Sequence, residues 1–105
     1  MEPKQHAFNL SGFQRDLLYI IAGHHKPSGQ TICRELEQWI NVGHGQLYTN
    51  LDILAERSLI EKGSKDQRTN YYAITEAGLT VLQHRREWED GYLNDRMTDT
   101  CIRQS

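Results

Sequence analysis

Apolar residues recur at helical spacing in several stretches of this chain, and polar turn formers separate those stretches. After Ser11, a good N-cap, Phe13, Leu17, Leu18 and Ile21 form one stripe that Tyr19 and Ile20 widen. This predicts a first helix ended by Gly23 and kept from resuming by Pro27. Ser28 caps a second helix with Ile32, Leu36, Trp39 and Ile40 inward and Arg34, Glu35, Glu37 and Gln38 in water. Asn41 to Gly43 break the pattern. A third helix starts near His44 or Gly45 and turns Leu47, Leu51, Leu54 and Ala55 inward. Ser58 closes it. Leu59-Ile60 then opens a strand, Gly63 to Asn70 make a charged tip, and Tyr71 to Ile74 return. Thr75 to Gly78 start a last helix, in which Leu79, Leu82, Trp88, Tyr92 and Leu93 recur.

That order predicts a mostly α protein with a small β-wing, a winged helix-turn-helix. It has a three-helix core, a two-stranded hairpin and a C-terminal dimerisation helix. The expected boundaries are a flexible arm over 1–10, the winged-helix domain over 11–75, the dimerisation helix over 76–94 and a polar tail over 95–105. Opposite the leucines of the third helix, the 3.6-residue period gathers Gln46, Thr49, Asn50, Ile53 and Arg57. Gln and Asn can form paired hydrogen bonds to an adenine edge, and Thr can meet the thymine methyl. His44 sits where backbone amides of the first turn face a phosphate. Tyr48, at the margin of the leucine stripe, offers its ring to the core and its hydroxyl to the backbone. Gln30 and Thr31 at the start of the second helix join this candidate DNA-binding surface. The wing adds Lys62, Lys65, Arg68, Thr69 and Asn70, long cations and turn residues suited to flanking phosphates. The bland alternative for both surfaces is an ordinary solvated face.

Net charge changes this picture only in its distribution. The 105 residues carry a formal charge of −2. Residues 1–74 are balanced, and the acidic excess lies in 75–105. Between Arg57 and Asn70, the bases Arg57, Lys62, Lys65 and Arg68 outnumber Glu61 and Asp66. So few cations per chain predict weak, salt-sensitive binding by a monomer, which is a physical reason to expect a homodimer. No apolar run approaches a membrane span and no signal-peptide core opens the chain, so a cytoplasmic protein is expected. Cys33 and Cys101 read as free thiols, with a redox switch as the alternative. The histidines His6, His24, His25, His44 and His84 lack partner carboxylates or cysteines at ligand spacing, so no metal or other cofactor is expected. No catalytic motif stands out, and an enzyme is not expected.

Several of these residues resemble the PadR-like family of winged-helix transcriptional regulators. The matching pieces are Gly45-Gln46-Leu47-Tyr48, Leu51 to Leu54, Leu59-Ile60, Tyr71 to Thr75, and Gly78 to Leu82. The likeness runs over roughly residues 11 to 90. One departure is Ser58, where the family usually has a helix-ending Gly. The resemblance implies a homodimeric repressor paired through the last helix and often the first, which nominates Phe13, Leu17, Leu79, Leu82, Trp88 and Tyr92. Independently, a last helix bearing Trp88 and Tyr92 has little of its own chain left to cover it. Trp39 and Trp88 read as packing residues. The resemblance adds the alternative that they line a small-molecule inducer pocket at the dimer interface.

The expectation is a sequence-specific regulator, in the repressor sense, that binds double-stranded DNA at a pseudo-palindromic operator through helix 44–57 and the 62–70 wing. Half-site centres would lie about 10 bp apart. The competing reading is a winged-helix module that binds protein and never DNA; the neutral balance of residues 1–74 supports it.

Overall fold

Serine caps and leucine stripes produce the helices where the pattern places them. The computed structural model describes residues 9–64 and 69–104, with 95–104 as backbone only. Its elements are α1 (Gly12–Gly23), α2 (Gly29–Glu37), α3 (His44–Glu56), β1 (Ile60–Ser64), β2 (Asn70–Ile74) and α4 (Glu76–Gln104). Ser11 caps α1 in a reciprocal box. Its Oγ accepts from the Gln14 backbone N–H, and its own N–H donates to Gln14 Oε1, both at 3.1 Å. Ser28 caps α2 by accepting from Thr31 N–H at 3.1 Å.

One core joins all the elements. Leu17, Leu18 and Ile21 of α1 meet Ile32, Cys33 and Leu36 of α2 and Leu47, Leu51 and Leu54 of α3. Leu59, Ile60 and Tyr72 close it from the ribbon side, and Val81 and Leu82 from α4. The ribbon is antiparallel, with Ile60 opposite Ile74 and Ser64 opposite Asn70. Tyr72 N–H also donates to Pro27 O at 2.9 Å, and Ser28 bridges Tyr71. The turn before α2 thus forms a short third edge that fixes the wing to the helices.

Ser58 solves its turn in the left-handed region, with φ of 61°. Leu59 N–H reaches back to Leu54 O, and Ser58 N–H to Ala55 O, each at 3.0 Å. That is the hydrogen-bond pair of a Schellman ending, made without glycine. Thr75 then ties α4 to this turn. Its Oγ1 lies 2.8 Å from Ser58 O and 2.9 Å from Leu59 O as donor, and accepts from Gly78 N–H at 3.0 Å. Gly78 packs so closely that any Cβ would collide with the Leu59 carbonyl oxygen.

Some boundaries differ from the sequence reading. Leu10, assigned to a loose arm, is buried in the core; residues 1–8 of that arm lie outside the described residues. Helix α2 ends at Glu37, so Trp39 and Ile40 leave the buried stripe and stand exposed. The reason is a tightened last turn, in which the N–H groups of both Trp39 and Ile40 fall on Leu36 O. Strand pairing runs to Ser64 and Asn70, which shortens the tip. The last helix continues to Gln104 rather than stopping at 94. Leu17 and Leu82, expected at a dimer interface, are buried in the core of their own chain. None of the described helices is long and apolar enough to cross a membrane.

Two predictions follow from these contacts. Ser58→Gly should raise stability by about 1 kcal/mol in urea melts, because glycine accepts this φ without the penalty a Cβ brings. An unchanged or lowered midpoint would contradict the turn geometry. Burial, helped by the Glu37 carboxylate that accepts from Cys33 Sγ at 3.3 Å, pushes the Cys33 thiol above its ordinary 9.0. Burial also pushes Tyr72 above 10.0, with Tyr48 and Asp52 adding to the shift. The fold favours both neutral forms. Their contribution is therefore complete below pH 9.0 and is lost as pH rises through the raised values. Urea midpoints should fall as pH rises from about 9 to about 11, and Cys33→Ala should flatten the earlier part of the fall.

Candidate nucleic-acid interface

Burial of one side of α3 dictates what its other side presents. Leu47, Leu51 and Leu54 are fully buried, so Gln46 and Thr49 project into solvent. His44 is the first residue of the helix and is exposed. Unlike α1 and α2, α3 has no side-chain cap, because its N-cap is Gly43. Its first-turn amides and the positive end of its dipole are thereby left open to an anion. Arg57 is exposed at the other end, as the C-cap. Ile53 is half-buried and flanks the polar face.

Tyr48 carries this face across to α2. Its ring lies against Gly29, where an added Cβ would come within 2.7 Å of Cε1. Tyr48 as a whole is 39% exposed. A cleft of about 120 Å³ is lined by Ser28, Gly29, Gln30, Tyr48, Thr69 and Asn70. Gln30, Tyr48, Thr69 and Asn70 were nominated from three separate stretches of sequence, and the fold brings them around one opening. Thr31, nominated with Gln30, is instead turned toward Ser28, whose hydroxyl lies 3.1 Å from its own. Lys62 of β1 is exposed and leans on α3, with its Nζ 3.8 Å from Asp52 Oδ1. Lys65 and Arg68 lie outside the described residues.

Asn50 departs from the expectation of a free base reader. Its Oδ1 accepts from Gln14 Nε2 at 2.9 Å, and its Nδ2 donates to Gln46 O at 2.8 Å. The amide is engaged within the protein on both sides, and Asn50 is only partly exposed.

The structure adds Lys26, which no motif in the sequence marks. It sits with φ of 46° in the turn before α2, and its ammonium lies 5.2 Å from the centroid of the Tyr71 ring. With His24, His25, Thr31 and Thr69 it borders a second cleft of about 300 Å³ beside the wing. What the sequence offers there is the basic triplet His24-His25-Lys26 ahead of Pro27 and the capping Ser28. His24 itself pairs with Glu35, Nε2 to Oε1 at 3.6 Å.

Besides Tyr48, other large apolar groups are exposed. Trp39 is 82% exposed and borders a cleft of about 320 Å³ with Tyr19, Ile20, Leu36 and Ile40, rimmed by Asp16 and Glu35. Trp88 lies on α4, where it packs edge-on to Tyr92 at 5.1 Å beneath the Arg85 guanidinium. Trp88 is not among the residues that line the Trp39 cleft. Leu79, Trp88, Tyr92 and Leu93 are exposed along α4, and Phe13 of α1 is half-buried.

The profile of the transcriptional regulator PadR-like family matches residues 17–84, which run from α1 into α4. The chain belongs to this family. Its fold is shared over nearly its whole length by RosR from H. salinarum. One RosR structure, a complex, has 32% identity and a TM-score of 0.82, covering 98% of this chain and 95% of that one. A second RosR structure gives 33% identity, a TM-score of 0.77, and coverage of 93% and 94%. More distant structures share the fold alone. FabT of Streptococcus pneumoniae, in complex with DNA, has 16% identity and a TM-score of 0.69 over 86% of this chain and 62% of that one. MepR of Staphylococcus aureus, a transcription regulator of a multidrug efflux pump, has 19% identity and a TM-score of 0.70 over 98% and 76%. The curated proteins contain no match.

If Gly29 is the seat of the Tyr48 ring, Gly29→Ala should displace that ring toward the wing at small cost in stability. Tyr48 ring resonances that shift while the urea midpoint barely moves would agree. Resonances identical to wild type would contradict the contact.

Proposed function

We propose that this PadR-like regulator binds operator DNA as a homodimer and acts as a repressor. The observation that carries the reading is the open polar face of α3, held outward by three fully buried leucines and continuous with Gln30, Tyr48, Thr69 and Asn70. Gln46 and Thr49 are the base-reading groups, the uncapped start of α3 receives a phosphate, and Arg57, Lys62 and Lys26 meet the flanking backbone. Lys65 and Arg68 extend that contact from the wing tip.

Pairing of two chains is supported by the large apolar side chains that α4 exposes, Leu79, Trp88, Tyr92 and Leu93. A two-fold arrangement would present two reading helices to successive major grooves. It also doubles the few cations each chain brings, which a net negative protein needs in order to hold a duplex. Leu17 and Leu82 have no part in this pairing, since they are spent on the internal core.

Gel mobility on duplexes enriched from a random pool tests the reading. Gln46→Ala should reduce preference for the enriched sequence by about 1–3 kcal/mol. Arg57→Ala should weaken all sequences alike and lower the salt slope by about 1. A chain that shifts no duplex at low salt would instead be a protein-binding module.

A further inference from the structure

Among the described residues, α1 carries a buried polar side chain that lies outside the interface. Gln14 is 8% exposed. Its side chain does two things at once: Oε1 takes the Ser11 N–H, and Nε2 donates to Asn50 of the reading helix. Asn50 in turn donates to the Gln46 carbonyl in the first turn of α3. A continuous path of hydrogen bonds therefore runs from the cap of α1 to the backbone of the principal base-reading residue.

The polarity of this path is fixed by its ends. Ser11 N–H can only donate, so Gln14 must offer its oxygen there and its NH₂ to Asn50. The Gln46 carbonyl can only accept, so Asn50 must offer its NH₂ there and its oxygen to Gln14. Each amide therefore has one workable orientation. Glutamate would satisfy the α1 cap equally well, as it does in capping boxes generally, yet it has no hydrogen to give Asn50. What requires glutamine at position 14 is thus the bond to the reading helix rather than the cap.

We infer that Gln14 is a positioning residue for sequence discrimination, acting through Asn50 to fix α3, and Gln46 with it, against α1. This rests on the DNA-reading function proposed above. The leucine stripe decides which side of α3 faces out, but apolar packing tolerates small sliding along the helix axis. A directional bond from a buried donor does not. Gln14 touches no DNA in this scheme, and losing its bond should blur the choice of bases while leaving attraction to phosphates intact.

The test uses the full chain, a duplex of about 30 bp enriched by the wild-type protein from a random pool, and a scrambled duplex of the same length. Gln14→Glu keeps the cap and the size. Asn50→Leu removes the link from its outer, partly exposed end and so guards against a variant that simply fails to fold. Urea melts report folding for each. Both variants should lower the ratio of enriched to scrambled affinity by about tenfold, with the affinity for scrambled DNA and the salt slope unchanged. In the double variant, Gln14→Glu should cost nothing further once Asn50 is gone. An unchanged ratio, an equal loss on both duplexes, or additive losses in the double variant would overturn the positioning role. A pool that yields no preferred duplex would contradict the DNA-reading function itself, and this inference falls with it.

Discussion

Complete burial of Leu47, Leu51 and Leu54 is the constraint on which the rest of the molecule depends. Each such side chain contributes about 1.5–3 kcal/mol relative to exposure. Turning α3 by even one residue, about 100°, would bring leucines into water and set Gln46 and Thr49 against the core. The orientation of the polar face is therefore a consequence of hydrophobic burial, and charge enters later. This separation explains how a protein with a net charge of −2 can carry a nucleic-acid surface. Apolar packing sets the direction of the face, and the few local cations supply attraction only at its edges.

Around that helix the other elements are attached by directional contacts. The wing is held at its base, where Tyr72 N–H meets Pro27 O, and along its side, where Lys62 approaches Asp52. Helix α4 is fixed through Thr75 and Gly78 to the turn that ends α3. The start of α2, the flank of α3 and the return strand thus form one body around Tyr48. A reader of DNA built this way approaches the duplex with its parts already in register, and little ordering remains to be done on binding.

The element order and most of the core were legible in the amino-acid sequence, because a leucine every three or four residues and a serine before each of the first two helices have direct physical meanings. The wing was legible from its turn formers. Other features were hidden for identifiable reasons. Periodicity marks Leu17 and Leu82 as apolar and inward but cannot say whether the neighbour is their own chain or another. Trp39 and Ile40 continue the period of α2, yet the helix stops short of them when its last turn tightens onto Leu36. Asn50 looked like a base reader because its spacing was right; its bond to Gln14, 36 residues earlier, leaves no trace in any local pattern. Ser58, by contrast, marks the end of α3 in the sequence and stands where glycine is usual; the Schellman bonds around it show how the turn is made.

The central claim is that the outer side of α3 meets nucleic acid. NMR mapping of backbone and side-chain amides during titration with a duplex of about 30 bp tests it most directly. The account predicts that shifts concentrate on His44, Gln46, Thr49 and Arg57, with Gln30, Tyr48 and Asn70 beside them, while the Trp39 cleft stays still. Shifts gathered around Trp39 and Tyr19 with the signals of α3 unmoved would contradict it.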